Sequence, residues 1–238
     1  MKRLIMILVL FAILNVFAKD MEDMQKYLKD TIKLAKEGKK QEALKRFIWL
    51  YDHVSEYEPR FSVGQIPYLL GYWKALANQY PPALKALQEV RDKETELIKN
   101  GKGTYETFNK VISINKELME EEKSIELFVF IDKQYPDLAR VCWNYIASKI
   151  IAANKIDLVR KYEPDLMKKF NEIVVSYKTI ALRYETINHG EVLRKVNEDN
   201  FVRETLNLIT VVEAIKDKKM ADQIRAKAFG ILPDPRLK

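Results

Sequence analysis

In the stretch PPALKALQEV, residues 81–90, the small residue Ala83 is followed four positions later by the bulky apolar residue Leu87. The same spacing recurs at intervals of about forty residues in two further pairs, Ala43 with Phe47 and Ser124 with Phe128. Each pair lies in the second of two consecutive helical patterns. The chain is therefore predicted to form a series of stacked helix pairs.

The composition favours helices over strands. The 238 residues include seven Gly and eight Pro, which leaves few residues for tight turns. The Asn-Gly and Asp-Gly signals of β-hairpins are nearly absent. The runs over residues 173–175 and 208–212 are β-branched, but their neighbours keep the helical step. We expect these runs to be buried faces of helices in an all-α fold.

Apolar residues at three- and four-residue steps, with Gly or Pro at the ends, place the individual helices. The predicted pairs cover residues 21–37 with 40–55, 65–78 with 81–99, 104–119 with 122–133, 138–153 with 156–162, and 200–216 with 219–232. Between the last two pairs we expect a long helix over 165–184, a break at 188–190 and a short helix over 191–197. The resulting repeat units are 24–59, 65–99, 104–136, 138–164 and 200–233, and residues 165–199 fit the repeat poorly.

These units resemble tetratricopeptide repeats. Ser124, Phe128, Ile131 and Pro136 follow the small, bulky, apolar and proline series of that family at the family's spacing. The interval of about forty residues is longer than the family's, which is about 34. The resemblance implies antiparallel helix pairs stacked as a TPR-like α-solenoid over residues 19–238. It also implies that Gly71 is the small residue that faces Ala83 where the two helices cross.

Residues that usually carry catalysis are scarce. The chain has two His and one Cys, Cys142, so it offers no ligand spacing for a metal and no nucleophile with its base. The single thiol allows no internal disulfide and is expected to be buried. A run of carboxylates such as Glu120-Glu121-Glu122 is typical of a solvated helix end. We predict that the protein is not an enzyme and that it uses no cofactor or metal.

Binding is the activity that the pattern favours. In the repeat family, the first helix of each pair lines a concave groove. The resemblance therefore implies these partner-binding residues: Gln65, Tyr68, Tyr72, Asn109, Ser113, Lys116, Asn144 and Ser148. Tyr68 and Tyr72 are four residues apart and share a helix face, which suits an extended peptide or a partner protein. An alternative is that both rings merely pack against the neighbouring repeat.

The charge balance is moderately basic. Forty-one Lys and Arg face 34 Asp and Glu, which gives a net charge of +7. Because the basic residues are interleaved with acids, we interpret them as an ordinary solvated surface and expect no nucleic-acid partner. The alternative is a basic helical binder of an anionic envelope polymer or a membrane surface.

The N-terminus has the pattern of a signal peptide. Lys2 and Arg3 precede an apolar run over residues 4–17, and Ala18 stands where a peptidase would cut. The run is shorter than the roughly 20 residues that span a bilayer. We therefore expect residues 1–18 to be removed and the mature chain to be exported, to the periplasm or outside the cell, without a transmembrane span. Retention of the segment as an anchor is the alternative.

The cleavage prediction can be tested on the exported protein. N-terminal sequencing of the mature chain should begin at Lys19. Deleting residues 2–18 should leave a folded protein in the cytoplasm, because the repeat units do not need the segment. Aggregation of the deleted form would indicate that residues 2–18 belong to the fold.

Overall fold

The computed structural model describes residues 24–53, 59–184 and 190–238, without the side chains of residues 59–65. The predicted signal peptide and residues 188–189 of the predicted break lie outside these ranges. The described chain contains helices and no strand. The helices are α1 (24–36), α2 (Lys40–His53), α3 (Pro59–Ala77), α4 (Pro81–Lys99), α5 (Tyr105–Leu118), α6 (Glu121–Gln134), α7 (Pro136–Ala152), α8 (Ile156–Tyr162), α9 (Leu166–Ala181), α10 (Gly190–Ala214), α11 (Lys218–Ile231) and a 3-10 helix at Pro235–Leu237.

The predicted all-α fold of stacked helix pairs is confirmed. The bounds of α4 and α8 agree with the prediction to the residue. The prediction for the start of α3 was wrong, because this helix begins at Pro59 and not at residue 65. A proline fits the first position of a helix, where its missing N–H has no intrahelical partner. Pro59 therefore opens the second helix pair and does not close the first.

The largest correction concerns α10, which is one helix of 25 residues from Gly190 to Ala214. The separate short helix over 191–197 was wrong. Asn197, at its expected end, is buried, and its Nδ2 donates to the backbone oxygen of Tyr177 at 2.9 Å and to the Tyr184 hydroxyl at 2.6 Å. Because these partners satisfy the amide, the low helix propensity of this polar stretch is outweighed by tertiary contacts.

Four helix pairs are joined by the same turn. A residue with positive φ stands two positions before α2, α6, α8 and α11: Gly38 (φ 80°), Met119 (φ 59°), Asn154 (φ 52°) and Lys216 (φ 65°). The next residue's N–H bonds to the carbonyl five positions back in every case, at 2.8 to 3.2 Å. This is the Schellman motif, which satisfies the last carbonyls of a helix and reverses the chain. The pairs are antiparallel because the connection is this short.

A buried residue follows each of these turns by five positions. These residues are Ala43, Ser124, Val159 and Ala221, each at most 1% exposed. Ala83 occupies the corresponding place in α4 and is fully buried, as are the bulky partners Phe47, Leu87 and Phe128. The spacing from which the fold was predicted therefore marks buried positions, and two of them contact the preceding helix: Ala83 contacts Trp73 and Ser124 contacts Asn115. Val159, which lies in the predicted repeat over residues 138–164, was not identified from the sequence.

The chain divides into two compact units, residues 1–138 and 139–238. In the first unit, α3 packs against α4 and α5, and α4 packs against α5 and α6. Each helix thus contacts the next and the next but one, as in helical repeats. The buried Trp73 ring lies 6.3 Å from Phe47 and 6.2 Å from Tyr51, measured between centroids.

The contact predicted between Gly71 and Ala83 is wrong. A Cβ added to Gly71 would meet no heavy atom within 4 Å outside its own helix backbone, so Gly71 does not lie at a close crossing. The neighbour of Ala83 on α3 is Trp73, whose Nε1 donates to the Ala83 carbonyl at 3.0 Å. The contact with Ala83 that was predicted for Gly71 is therefore made by Trp73, two residues later in α3.

The second unit contains a mutually packed set of α9, α10 and α11. The rings of Tyr177 and Phe201 join α9 to α10 with centroids 4.7 Å apart, and the buried Leu237 belongs to the 3-10 helix that packs against α10 and α11. The β-branched run over 208–212 is helical and largely buried, as predicted, whereas Val175 of the run over 173–175 is 62% exposed. Cys142 is buried.

None of the helices in the described ranges combines the length and the apolar character that crossing a bilayer would require.

The crossing at Ala83 supplies a stability test. Replacing Ala83 by Met should lower the free energy of unfolding by about 1–3 kcal/mol, because a filled crossing relaxes poorly. Ala75→Met, at an exposed position of α3, is the matched control and should change it by less than about 0.5 kcal/mol. Urea denaturation measures both changes. Equal stability of the two variants would show that the crossing is not close-packed.

The turns supply a second test. Met119 is 84% exposed and adopts a left-handed conformation that a Cβ disfavours. Met119→Gly should therefore raise the free energy of unfolding, by up to about 1 kcal/mol. Met119→Ala is the control, since it removes the long side chain but keeps the Cβ. A gain in the alanine variant as large as in the glycine variant would contradict the backbone explanation.

Candidate partner-binding surface

The candidate surface lies on α3. Apolar residues on one side of this helix are buried in the core: Ile66, Leu69, Leu70, Trp73, Leu76 and Ala77. The remaining sides of the helix carry Pro67, Tyr68, Gly71, Tyr72, Lys74 and Ala75, all partly or fully exposed. We call the five uncharged residues of this set, Pro67, Tyr68, Gly71, Tyr72 and Ala75, the tyrosine face. Lys74 is the charged residue that adjoins it.

The two tyrosines of this face hold one another in place. Their hydroxyl oxygens lie 3.1 Å apart and form a hydrogen bond. Their rings meet edge to face, with centroids 4.9 Å apart and planes at 77°. The hydrogen bond with Tyr72 is the main cause that raises the pKa of the Tyr68 phenol. The raised pKa keeps the Tyr68 hydroxyl neutral at physiological pH, and a phenol hydroxyl can both donate and accept a hydrogen bond.

The two rings differ in exposure. Tyr72 is half-buried and packs against the core around Trp73, whereas Tyr68 is 52% exposed. The alternative, in which both rings merely pack against the neighbouring repeat, does not account for the exposed half of Tyr68. Gly71 lies between them in the sequence and has no side chain, and the space around it is open. The exposed ring of Tyr68 is therefore next to a patch of bare backbone.

Three predicted residues of α5 belong beside this face. Asn109 and Ser113 are half-buried and Lys116 is exposed. They lie on the side of α5 opposite its buried residues, which include Val111 and Asn115. Asn109 and Ser113 follow Tyr68 and Tyr72 by the same interval, and α3 contacts α5 directly. The predicted residues of the first unit whose side chains are described thus lie on two helices that contact each other, and all are at least partly exposed.

Two of the predicted residues lie elsewhere and one is not described. Asn144 and Ser148 are exposed on α7, within the second unit. They are four residues apart, as Tyr68 and Tyr72 are. The side chain of Gln65 lies outside the described residues.

A polar cluster that the sequence did not reveal joins α2, α4 and α5 close to this surface. Lys110 Nζ lies 3.8 Å from Glu94 Oε1 and 5.2 Å from the centroid of the Tyr51 ring. The Tyr51 hydroxyl donates to the same carboxylate oxygen at 3.5 Å. Burial, followed by the charge of Glu94, raises the pKa of Tyr51 well above its ordinary value. These contacts hold Lys110, the neighbour of Asn109 on α5, against Glu94 of α4 and Tyr51 of α2.

The carboxylate of Glu120 also has a structural role. It accepts hydrogen bonds from Lys123 at 2.8 Å and from the buried Arg91 of α4. The bond from Lys123, together with the charge of Arg91, lowers the pKa of Glu120. The interpretation of residues 120–122 as a solvated helix end therefore needs correction at Glu120, which ties the start of α6 to α4. No spacing within one helix could have revealed this pair.

The arrangement is suited to non-covalent contacts. The tyrosine face offers ring surface and two hydroxyls, and α5 adds an amide, a hydroxyl and an ammonium group. In the part of the chain that the structure describes, no group of His, Cys, Asp and Glu side chains could hold a metal ion.

No protein-family model, curated protein or solved structure matches this chain.

Proposed function

We propose that this protein is an exported interaction scaffold that binds an extended peptide, or an extended segment of a partner protein, on the tyrosine face and the adjoining residues of α5. One observation carries the proposal. Tyr68 keeps half of its surface exposed on an uncharged face while Tyr72 fixes its orientation.

A ring in a fixed orientation is a favourable anchor for a ligand. Tyrosine offers a large amphipathic contact area and loses little conformational freedom, since it has only two side-chain torsions. Here part of that loss has already occurred in the free protein, because the hydroxyl of Tyr68 is bonded to Tyr72. Binding therefore has a smaller entropic cost than binding to a freely rotating ring.

The residues of α5 complement the aromatic anchor. The amide of Asn109 and the hydroxyl of Ser113 can donate to and accept from a peptide backbone. An extended backbone presents such groups on both sides, and they lose free energy if they are buried without partners. The combination supports binding of a chain that lies across α3 and α5, with one side chain against Tyr68.

The N-terminal pattern of residues 1–18 supports the site of action that we propose, which is the periplasm or the exterior. A helical interaction scaffold fits a role in an assembly outside the cytoplasm. The identity of the partner depends on contacts that the partner itself supplies.

The proposal can be tested with peptide binders selected against the wild-type protein from a library of unstructured peptides. Tyr68→Ala should weaken the selected peptides about tenfold or more, as expected for loss of a central aromatic anchor. Fluorescence anisotropy measures the change. Raising NaCl from about 50 mM to about 500 mM should have little effect, because the contact is mainly uncharged.

Tyr145→Ala is the matched control, since Tyr145 is also partly exposed but lies on α7 in the second unit. It should leave the affinity unchanged, and Ser113→Ala should reduce it less than Tyr68→Ala does. The proposal is wrong if the selected peptides bind the Tyr68→Ala protein as tightly as the wild type, or if Tyr145→Ala weakens them equally.

A further inference from the structure

The basic excess of the chain is not shared between its two units. Residues 1–138 contain 22 Lys and Arg against 21 Asp and Glu, a net charge of +1. Residues 139–238 contain 19 against 13, a net charge of +6. The second unit therefore carries +6 of the net charge of +7, although it is the smaller of the two units.

Seven of the 13 acids of the second unit are engaged within it, whereas Glu191, Glu198, Glu204 and Asp222 of α10 and α11 form no such contact with another residue that the structure describes. Asp165 and Asp217 accept the backbone N–H groups of Lys168 and Met220 at the starts of α9 and α11. Glu163, Glu172, Glu213, Asp199 and Asp234 form ion pairs with Lys169, Arg225 and Arg236. The two capping aspartates are stabilised by the positive ends of their helices, and the other five acids are stabilised by Lys or Arg side chains. These seven carboxylates therefore have partners within the protein.

Many lysines of this unit are exposed on the surface. Six of them lie on α9, α10 and α11: Lys168, Lys178, Lys195, Lys218, Lys219 and Lys227. None of the six forms an ion pair with another residue that the structure describes. The six lysines are distributed over three helices that pack together. Such a distribution does not form a pocket for one small anion.

We infer that the second unit attaches the protein to membranes rich in anionic phospholipids. Dispersed lysines suit a fluid surface, because the lipid headgroups can move to meet each charge and no fixed ligand geometry is needed. Single-stranded nucleic acid is the weaker partner for this surface. Single-stranded binding needs exposed rings for base stacking, and the described side chains of α9, α10 and α11 include no exposed aromatic ring. The inference does not rest on peptide binding by the first unit.

Vesicle co-sedimentation tests this attachment. The full-length protein should bind vesicles that contain phosphatidylglycerol and phosphatidylcholine, and pure phosphatidylcholine vesicles correct for binding through residues 4–17. Lys178, Lys195, Lys219 and Lys227 are replaced together by Gln. The partition coefficient for the anionic vesicles should fall at least about tenfold, since each lysine near an anionic membrane contributes to the attraction. Raising NaCl from about 50 mM to about 500 mM should abolish the wild-type binding.

The matched control replaces Lys26, Lys29, Lys45 and Lys93 of the first unit by Gln. These lysines are also exposed, and the substitution changes the net charge by the same amount. The control should retain its partition coefficient to within about twofold, as expected if location and not total charge decides. Circular dichroism of both variants confirms that they are folded.

Three results would overturn the inference. The first is an equal loss in both variants, and the second is no loss in either. The third is tighter binding to DNA than to anionic vesicles at the same salt concentration. Inorganic phosphate should displace the protein no better than NaCl of equal ionic strength, and specific displacement by phosphate would indicate a discrete anion site instead.

Discussion

Close approach of two helices at a buried small side chain is the constraint on which this structure depends. Helices pack with their axes about 8–10 Å apart, and a small side chain at the contact permits such an approach. Ala43, Ala83, Ser124 and Ala221 occupy these contacts and are almost fully buried. In three of the four cases the left-handed residue of the turn stands five positions earlier. The turn reverses the chain, and the small residue lets the returning helix settle against its partner.

The crossings also determine where the candidate surface can form. The helices α3, α4 and α5 all contact one another, and the candidate residues of α3 and α5 stay partly or fully exposed. Trp73 contacts Ala83 through its indole N–H, and this contact fixes the rotation of α3 about its own axis. The tyrosine face consequently points away from the core. Tyr72 bridges the two environments, since it packs against the core and also bonds to the exposed Tyr68.

The two units present two different kinds of surface. The first unit is nearly balanced in charge and has an uncharged aromatic face, whereas the second unit is strongly basic and has its lysines spread over three helices. Contacts through an aromatic ring are short in range and depend on shape. Attraction through dispersed lysines is long in range and depends on salt. We propose that the first surface selects a partner and that the second holds the protein at a membrane.

The sequence by itself determined the all-α class, most helix bounds and the crossing residues, because the periodicity of small and apolar side chains directly reflects helix geometry. It also placed Tyr68 and Tyr72 on one face. Only the tertiary structure decided that Trp73 and not Gly71 meets Ala83, that α10 continues through Asn197, and that Glu94 lies beside Lys110. Each of these depends on a side chain from a distant helix. The spacing of residues within one helix cannot predict such partners, because the contact forms only when the helices pack.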